Sequence, residues 1–362
     1  MTKISATVVA DSKTPTGERL TTMLVTFPRF ILAELNTHRM LSKNSASSRA
    51  IPFDKMLKSA GEDPFIPIAW QKDHKGMQGS DYEIHVEHIN LNNIEWLEAR
   101  DSAIEHAKIL STKGNVTKQL CNRLLEPFMW HTVLISGTEW ENFFQLRCPQ
   151  YSLFSENIPL SFRSKKDFLK YVKEVEAPEF RNQYDNLTLL EWLQINKGQA
   201  EIHMMALAEA VWDAMNESTP KVLNEGEWHI PFGDGINIPL EGWEFATEND
   251  LLEDTIKIAT ARCARVSYTV VGEEGKEPNY ANDIKLHDVL STSGHWSPFE
   301  HCARVMNNDE YELFTKTYPP EINIEGREYI VDYLHRDIYL TAQQGWCNNF
   351  RGFIQYRFLL NK

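Results

Sequence analysis

Two segments near the N-terminus, Ile4 to Val9 and Leu20 to Phe27, are rich in β-branched residues and flank a Ser/Lys/Thr/Pro/Gly stretch. That pattern predicts two strands joined by a turn. A strand pair is not stable by itself in water, so the rest of the chain has to supply further strands or helices to cover it. Pro28 fits the first turn of a helix running to about Met40. Gln199 to Met215 has the apolar spacing of a strong amphipathic helix, and helical periodicity recurs at Asn92 to Ser111, Asn249 to Cys263 and Asp283 to Ser291. Met129 to Ile135 predicts a strand, and Thr138 to Arg147 a helix capped by Thr138. Gly61 to Tyr82 and Pro220 to Pro239 read as loops.

The 362 residues are enough for one large domain or two ordinary ones, and no repeat or composition break forces a division. A formal charge of −14 argues against a general nucleic-acid or membrane-surface binder. It leaves room for a small anionic ligand held by local arginines. No apolar run approaches the roughly 18 residues of a membrane span, and no secretory leader is evident. The five cysteines, Cys121, Cys148, Cys263, Cys302 and Cys347, lack metal-type or redox spacing. Reduced thiols and a cytoplasmic location are the expectation.

Chemistry concentrates in a few places. Thr37 to Arg49 holds one His, two Arg, four Ser and an Asn in thirteen positions. Guanidinium forks and hydroxyl donors suit phosphate or carboxylate, so the segment reads either as an anion seat or as a solvated helix end. Gly294 to His301 (GHWSPFEH) puts two imidazoles and a carboxylate beside a Ser-Pro turn. Its spacing matches no standard metal set. Asn142 to Arg147 (NFFQLR) aims Phe143 and Leu146 at a core and leaves Asn142 and Arg147 at a rim. Gln199 to Ile202 opens the amphipathic helix, and Ala264 to Tyr268 (ARVSY) leads toward the His295 cluster. His85 and His88 read as surface residues. The dinucleotide, P-loop and nucleophile-elbow signatures are absent.

Together these segments resemble the flavin-dependent thymidylate synthases. That family carries R-H-R-x-x-S-x-N-x-x-S-x-R, which this chain matches from Thr37 to Arg49 with the first Arg replaced by Thr37. The family's A-R-V-S-Y and G-H-x-S/T-P-F-E-H segments match Ala264 to Tyr268 and Gly294 to His301. Its N-F-x-x-L-R helix and A-Q-x-E-I segment match Asn142 to Arg147 and Gly198 to Ile202. In the family the G-H segment precedes the R-H-R segment, whereas here it follows. A circular permutation accounts for this order, with an insertion over 148–197. The resemblance implies an α/β (α+β) fold, a mixed central sheet flanked by long helices, as a single domain over 1–362. It also implies that the Phe299 to Met306 strand lies beside the N-terminal strands.

By the same resemblance, His38, Arg39, Asn44, Asn142, His295, Ser297 and Glu300 would hold FAD. Glu34, Ser47, Ser48, Arg49 and Arg147 would hold the nucleotide, with Arg147, Ser47 and His38 in catalytic roles. NADPH would reduce the flavin, and methylenetetrahydrofolate would give the carbon to C5 of dUMP, forming dTMP. A homotetramer with shared sites is implied, acting on small molecules and not on nucleic acid or membrane. Three nucleotide-side positions depart from the pattern: Glu34 replaces a Gln, Thr37 an Arg and Ser45 a Glu. Losing a guanidinium and gaining a carboxylate weakens a seat for a phosphate dianion, and Arg351 or Arg357 could compensate. Glu34 also suits an exocyclic amine, so methylation or hydroxymethylation of another pyrimidine nucleotide is an alternative. Readings from other classes are a metal-dependent nucleotide hydrolase using His295, Glu300 and His301, and a non-catalytic flavin- or nucleotide-binding protein.

Overall fold

The computed structural model describes residues 2–45, 47–76, 81–155, 158–175, 184–198, 200–238, 247–266, 279–317, 322–324, 327–332, 337–340 and 342–360. Ser5–Lys13 (β1) and Arg19–Pro28 (β2) pair antiparallel, as their alternation predicts. Thr14 closes the turn between them by accepting the Gly17 and Glu18 amides on its hydroxyl. Ser42–Ser45 (β3) is an edge strand on Trp130–Gly137 (β4), and β4 lies against β2. The two-residue strand Lys221–Val222 joins β1 in parallel and makes this five-stranded sheet mixed.

Alternation along the strands gives the sheet two unlike faces. Met23, Val25 and Phe27 of β2 and Val133 and Ile135 of β4 point to one side. There they meet Phe143 and Phe144 of the helix Glu141–Arg147 and Met204, Leu207 and Val211 of the helix Ile202–Glu217. Each such side chain contributes about 1.5–3 kcal/mol on burial. The long helix is secured at both ends. Glu201 caps its first turn by accepting the His203 and Met204 amides, at 2.8 and 3.1 Å. Arg19, paired with Asp11, donates to the Met215 and Ser218 carbonyls at the other end.

The opposite face carries a polar row. Thr22 of β2, Ser136 of β4 and Ser42 of β3 are cross-strand neighbours, and all three are buried. A second, three-stranded sheet of Trp228–His229, Ala303–Val305 and Phe353–Gln355 faces them, with His229, Ala303 and Gln355 in register. Each hydroxyl has one partner opposite. Thr22 Oγ1 meets His229 Nε2 at 2.8 Å, Ser136 Oγ meets His301 Nδ1 at 2.8 Å, and Gln355 Nε2 donates to Ser42 Oγ at 3.2 Å. Thr22 and Ser136 also bond each other at 2.6 Å, and Ser12 bonds His229 Nδ1 at 2.8 Å.

Several expectations change. The Ala303–Val305 strand does not lie beside β1 and β2. β4 and Lys221–Val222 already occupy the outer edges of that pair, so the strand joins the second sheet. The helix after Pro28 begins as a 3-10 turn and ends at Asn36, where the Thr37 hydroxyl bonds the Glu34 carbonyl. Thr138 caps no helix, since its hydroxyl accepts the Arg351 amide and the helix starts at Glu141. Within 148–197, Tyr151–Ser155 and Ile158–Phe162 pair, and Tyr151, Leu153, Phe168, Val172 and Trp192 form a separate apolar cluster. All five cysteines are buried free thiols. No helix among the described residues is long and apolar enough to cross a membrane.

The buried imidazoles make stability depend on pH. Burial pushes both His229 and His301 down to about 3. Below about pH 6.5 the unfolded chain binds protons at these rings that the folded chain refuses until near pH 3. Their contribution is therefore intact above 6.5 and is lost as pH falls from 6.5 toward 3, at up to about 1.4 kcal/mol per pH unit for each ring. The urea midpoint is expected to fall steadily between pH 6.5 and 4.5. A midpoint constant across that range would show that the rings are accessible to protons in the native state.

Candidate active site

The turn Thr37–Leu41 follows the short helix Leu32–Asn36 and delivers His38 against the helix Glu141–Arg147. The imidazole is buried edge-on to Phe143, with ring centroids 4.9 Å apart. Arg147 Nε donates to His38 Nε2 at 3.0 Å. An arginine cannot accept, so this nitrogen carries a lone pair and the ring is neutral with its proton on Nδ1. Burial, then the charges of Arg147 and Lys43, push the ring down to about 4. Arg147 Nη1 lies 3.7 Å from Glu34 Oε2. Burial and the nearby Glu201 raise the Glu34 carboxyl, opposed by Arg147 and His203. One guanidinium thus bridges an imidazole and a carboxylate.

The alternation of β3 sends its neighbours to opposite sides. Lys43 takes the His38 side, and its ammonium donates to the His38 and Leu41 carbonyls. Burial pushes it down to about 8, opposed by Glu300. Asn44 points the other way. Its Nδ2 donates to the Cys263 carbonyl at 2.7 Å, while Ser297 Oγ donates to Asn44 Oδ1 at 2.8 Å and lies 3.2 Å from the Lys43 carbonyl. One amide thereby ties β3, the helix Glu248–Arg265 and the turn Ser297–Glu300 together. Glu300 is paired with Arg357.

Of the residues singled out in the sequence, Glu34, His38 and Arg147 form one group, and Asn44 and Ser297 another. Arg39, Arg49, Asn142 and His295 are exposed, His295 bonding Ser293 at 2.9 Å. Ser47 is half-buried, and Ser48 is buried with its carbonyl taken by the Asn122 amide at 2.6 Å. Arg357 goes to Glu300. The Arg351 guanidinium answers to Tyr311 and Glu18, so neither arginine joins the His38 group. The three residues of the metal reading separate: His301 is fully buried on Ser136, Glu300 meets Arg357, and His295 faces outward. No group of three or more metal-type ligands occurs among the described residues. Ala46, Gln199, Ser267 and Tyr268 lie outside the described residues. Sequence reading missed Lys43 and Asn349. Lys43 lies inside the motif at an unspecified position, and Asn349 is some three hundred residues away, so only the fold relates them.

No family model matches the chain, and no curated protein matches it. Among solved structures it is distantly similar to a UMP/dUMP methylase, PolB from Streptomyces cacaoi, bound with 5-Br dUMP. That comparison gives 12% identity over 60% of this chain and 91% of the other, with a TM-score of 0.40. The same methylase bound with 5-Br UMP gives 16% identity over 41% of this chain and 77% of the other, with a TM-score of 0.33.

The Asn44 junction generates a prediction. In Asn44→Asp a carboxylate replaces the amide donor and faces the Cys263 carbonyl, which costs about 1–3 kcal/mol. Ser297→Ala removes a half-buried hydroxyl whose loss Asn44 Oδ1 can offset with water. Urea titration of both variants is expected to show the larger loss in Asn44→Asp; the reverse order would mean that the amide is not the junction.

Proposed function

We propose that this protein is a flavin-dependent pyrimidine nucleotide methylase of the thymidylate synthase type. It would transfer a one-carbon unit from methylenetetrahydrofolate to C5 of dUMP, with FAD reduced by NADPH. One observation carries the reading. Asn44 and Ser297, from two motifs 253 residues apart and in inverted chain order, are joined by a direct hydrogen bond. Separately, Arg147 of the third motif meets His38 of the first. A permutation that kept the site has to bring these segments together in this way.

By the resemblance, Arg39, Asn142 and His295 would line the cofactor site; all three are exposed, and a guanidinium, an amide and an imidazole are groups from which a diphosphate or a polar heterocycle can accept. Asn44 and Ser297 are bonded to one another, so they would hold the wall of that site in place. When bound, the flavin would supply reducing equivalents. Arg147 would face the pyrimidine, where its remaining N–H groups stabilise negative charge that develops on a ring carbonyl. His38 fixes the orientation of that guanidinium by accepting from Nε, with Nη1 turned toward Glu34 at 3.7 Å. Ser47 and the exposed Arg49 would take the phosphate, with Ser48 buried behind them.

The first test is the visible absorption spectrum of the purified protein, taken anaerobically. A flavin band that bleaches with NADPH and returns only with both dUMP and methylenetetrahydrofolate is expected. Protein that neither carries nor takes up FAD would overturn the reading.

Glu34 favours a second reading of the substrate. Its carboxylate lies 3.7 Å from Arg147 and so partly neutralises the charge offered to a pyrimidine carbonyl. A carboxylate accepts from the exocyclic amine of cytosine, which uracil lacks. Glu34→Gln is expected to shift preference from dCMP toward dUMP by about tenfold, the effect of roughly one charge-assisted hydrogen bond. Equal affinities before and after the change would remove cytosine from consideration.

A further inference from the structure

The turn 47–51 carries Ser47 and Arg49, the two residues proposed for the phosphate, and leads into the helix Phe53–Glu62. Its own backbone supplies one closing bond, from the Ala50 amide to the Ser47 carbonyl at 2.9 Å. The carbonyls of Ser48, Ala50 and Ile51 are taken instead by side chains of the segment that precedes β4. Asn122 Nδ2 donates to the Ser48 carbonyl at 2.6 Å and to the Ile51 carbonyl at 3.0 Å, and Lys118 Nζ donates to the Ala50 carbonyl at 3.2 Å. Lys118 is exposed, so water can replace it. Asn122 is wholly buried, and water cannot replace it in the same way.

Asn122 opens the 3-10 turn Asn122–Phe128, directly after the helix Lys118–Cys121. Its neighbours anchor it, since Cys121 is fully buried and Leu125 packs with Met56, Ala60 and Ala107. Ile51 leans on the same cluster, so that end of the turn has an apolar tie as well as the amide. The Ser48 end has no such tie, and among the described residues the bond from Asn122 is the only hydrogen bond that Ser48 makes. A trans peptide is planar, with its C=O and N–H pointing in opposite directions. Drawing the Ser48 carbonyl inward onto Asn122 therefore turns the Arg49 amide outward, where it meets no acceptor among the described residues.

We propose that Asn122 is a positioning residue, whose buried amide sets the orientation of the Ser48–Arg49 peptide and so presents Ser47 and Arg49 to a phosphate. The proposal rests on the reading of this segment as the phosphate side of the nucleotide site. Asn122 touches no ligand and acts through the two carbonyls that it holds. An apolar side chain would fill the same space with no amide to satisfy, and Asn122 Oδ1 meets no donor among the described residues. The position thus uses the two N–H groups of the amide and not its oxygen.

The test compares dUMP with deoxyuridine, which lacks only the phosphate, in calorimetric titrations of the full chain. Wild-type protein is expected to prefer dUMP by about a hundredfold, the effect of one or two charge-assisted hydrogen bonds. In Asn122→Ala that preference is expected to fall about tenfold while the affinity for deoxyuridine is unchanged. A general loosening of the fold would weaken both ligands alike and leave the ratio where it was. A folded Asn122→Ala variant that keeps the full preference would overturn the proposal. If Asn122→Ala does not fold, hydrogen exchange at the Arg49 amide of the 15N-labelled wild-type chain decides. Fast exchange in the free protein, slowed about tenfold by dUMP and not by deoxyuridine, is expected. An Arg49 amide already protected in the free protein would mean that the peptide faces inward, and the role of Asn122 would fall. Wild-type protein that binds dUMP no better than deoxyuridine would overturn the phosphate reading of the segment itself, whereas a preference retained in the variant overturns the role of Asn122 alone.

Discussion

The contact between the two sheets governs the rest of the molecule. A sheet normally meets its neighbour through interdigitated apolar side chains. Here Thr22, Ser136 and Ser42 meet His229, His301 and Gln355 across the interface, and Ser42 also meets Asn349. Polar pairs of this kind add little net stability when satisfied, but a mispaired arrangement strands buried donors and acceptors. The seam therefore selects a single register between the sheets. The apolar core on the other face of the large sheet is driven by non-directional burial and does not by itself fix donor–acceptor pairs.

That single register places the candidate site. The seam ends at Ser42, one residue before Lys43 and two before Asn44. Because side chains alternate along β3, fixing Ser42 against Gln355 and Asn349 fixes Lys43 toward His38 and Asn44 toward Cys263 and Ser297. A slip of one residue would exchange those faces and dissolve both groups. The order of motifs along the chain matters little by comparison. The helix Glu248–Arg265, β3 and the turn Ser297–Glu300 are remote in the sequence and meet at the edge strand through one amide.

Some of this was legible in the residues. The N-terminal hairpin, the strand at β4 and the amphipathic helix all followed from periodicity. Other features were not. Thr138 looked like a cap because Thr is a good cap, but the Arg351 amide was the better-placed donor. His301 looked like a possible ligand because imidazole near carboxylate is ambiguous, and only its full burial on Ser136 makes it a seam residue. The strand after Phe299 was assigned to the wrong sheet because edge availability is a property of the assembled topology.

The sequence by itself did not determine β3, or the short strands Lys221–Val222 and Trp228–His229 inside a segment read as loop. It did determine the N-terminal hairpin, β4 and the long helices, and which residue types a polynucleotide, a membrane or a small anion would need. These are local matters, set by side-chain periodicity, charge and capping within a few residues. The tertiary structure decided which of the candidate residues act together. His38 is a neutral acceptor because Arg147 is aimed at it, Glu300 belongs to Arg357, and Asn349 reaches a turn more than three hundred residues earlier. Such partnerships depend on distances of a few ångströms between groups remote in the chain, and hydrogen bonds and charges are too short-ranged in water to be read without them.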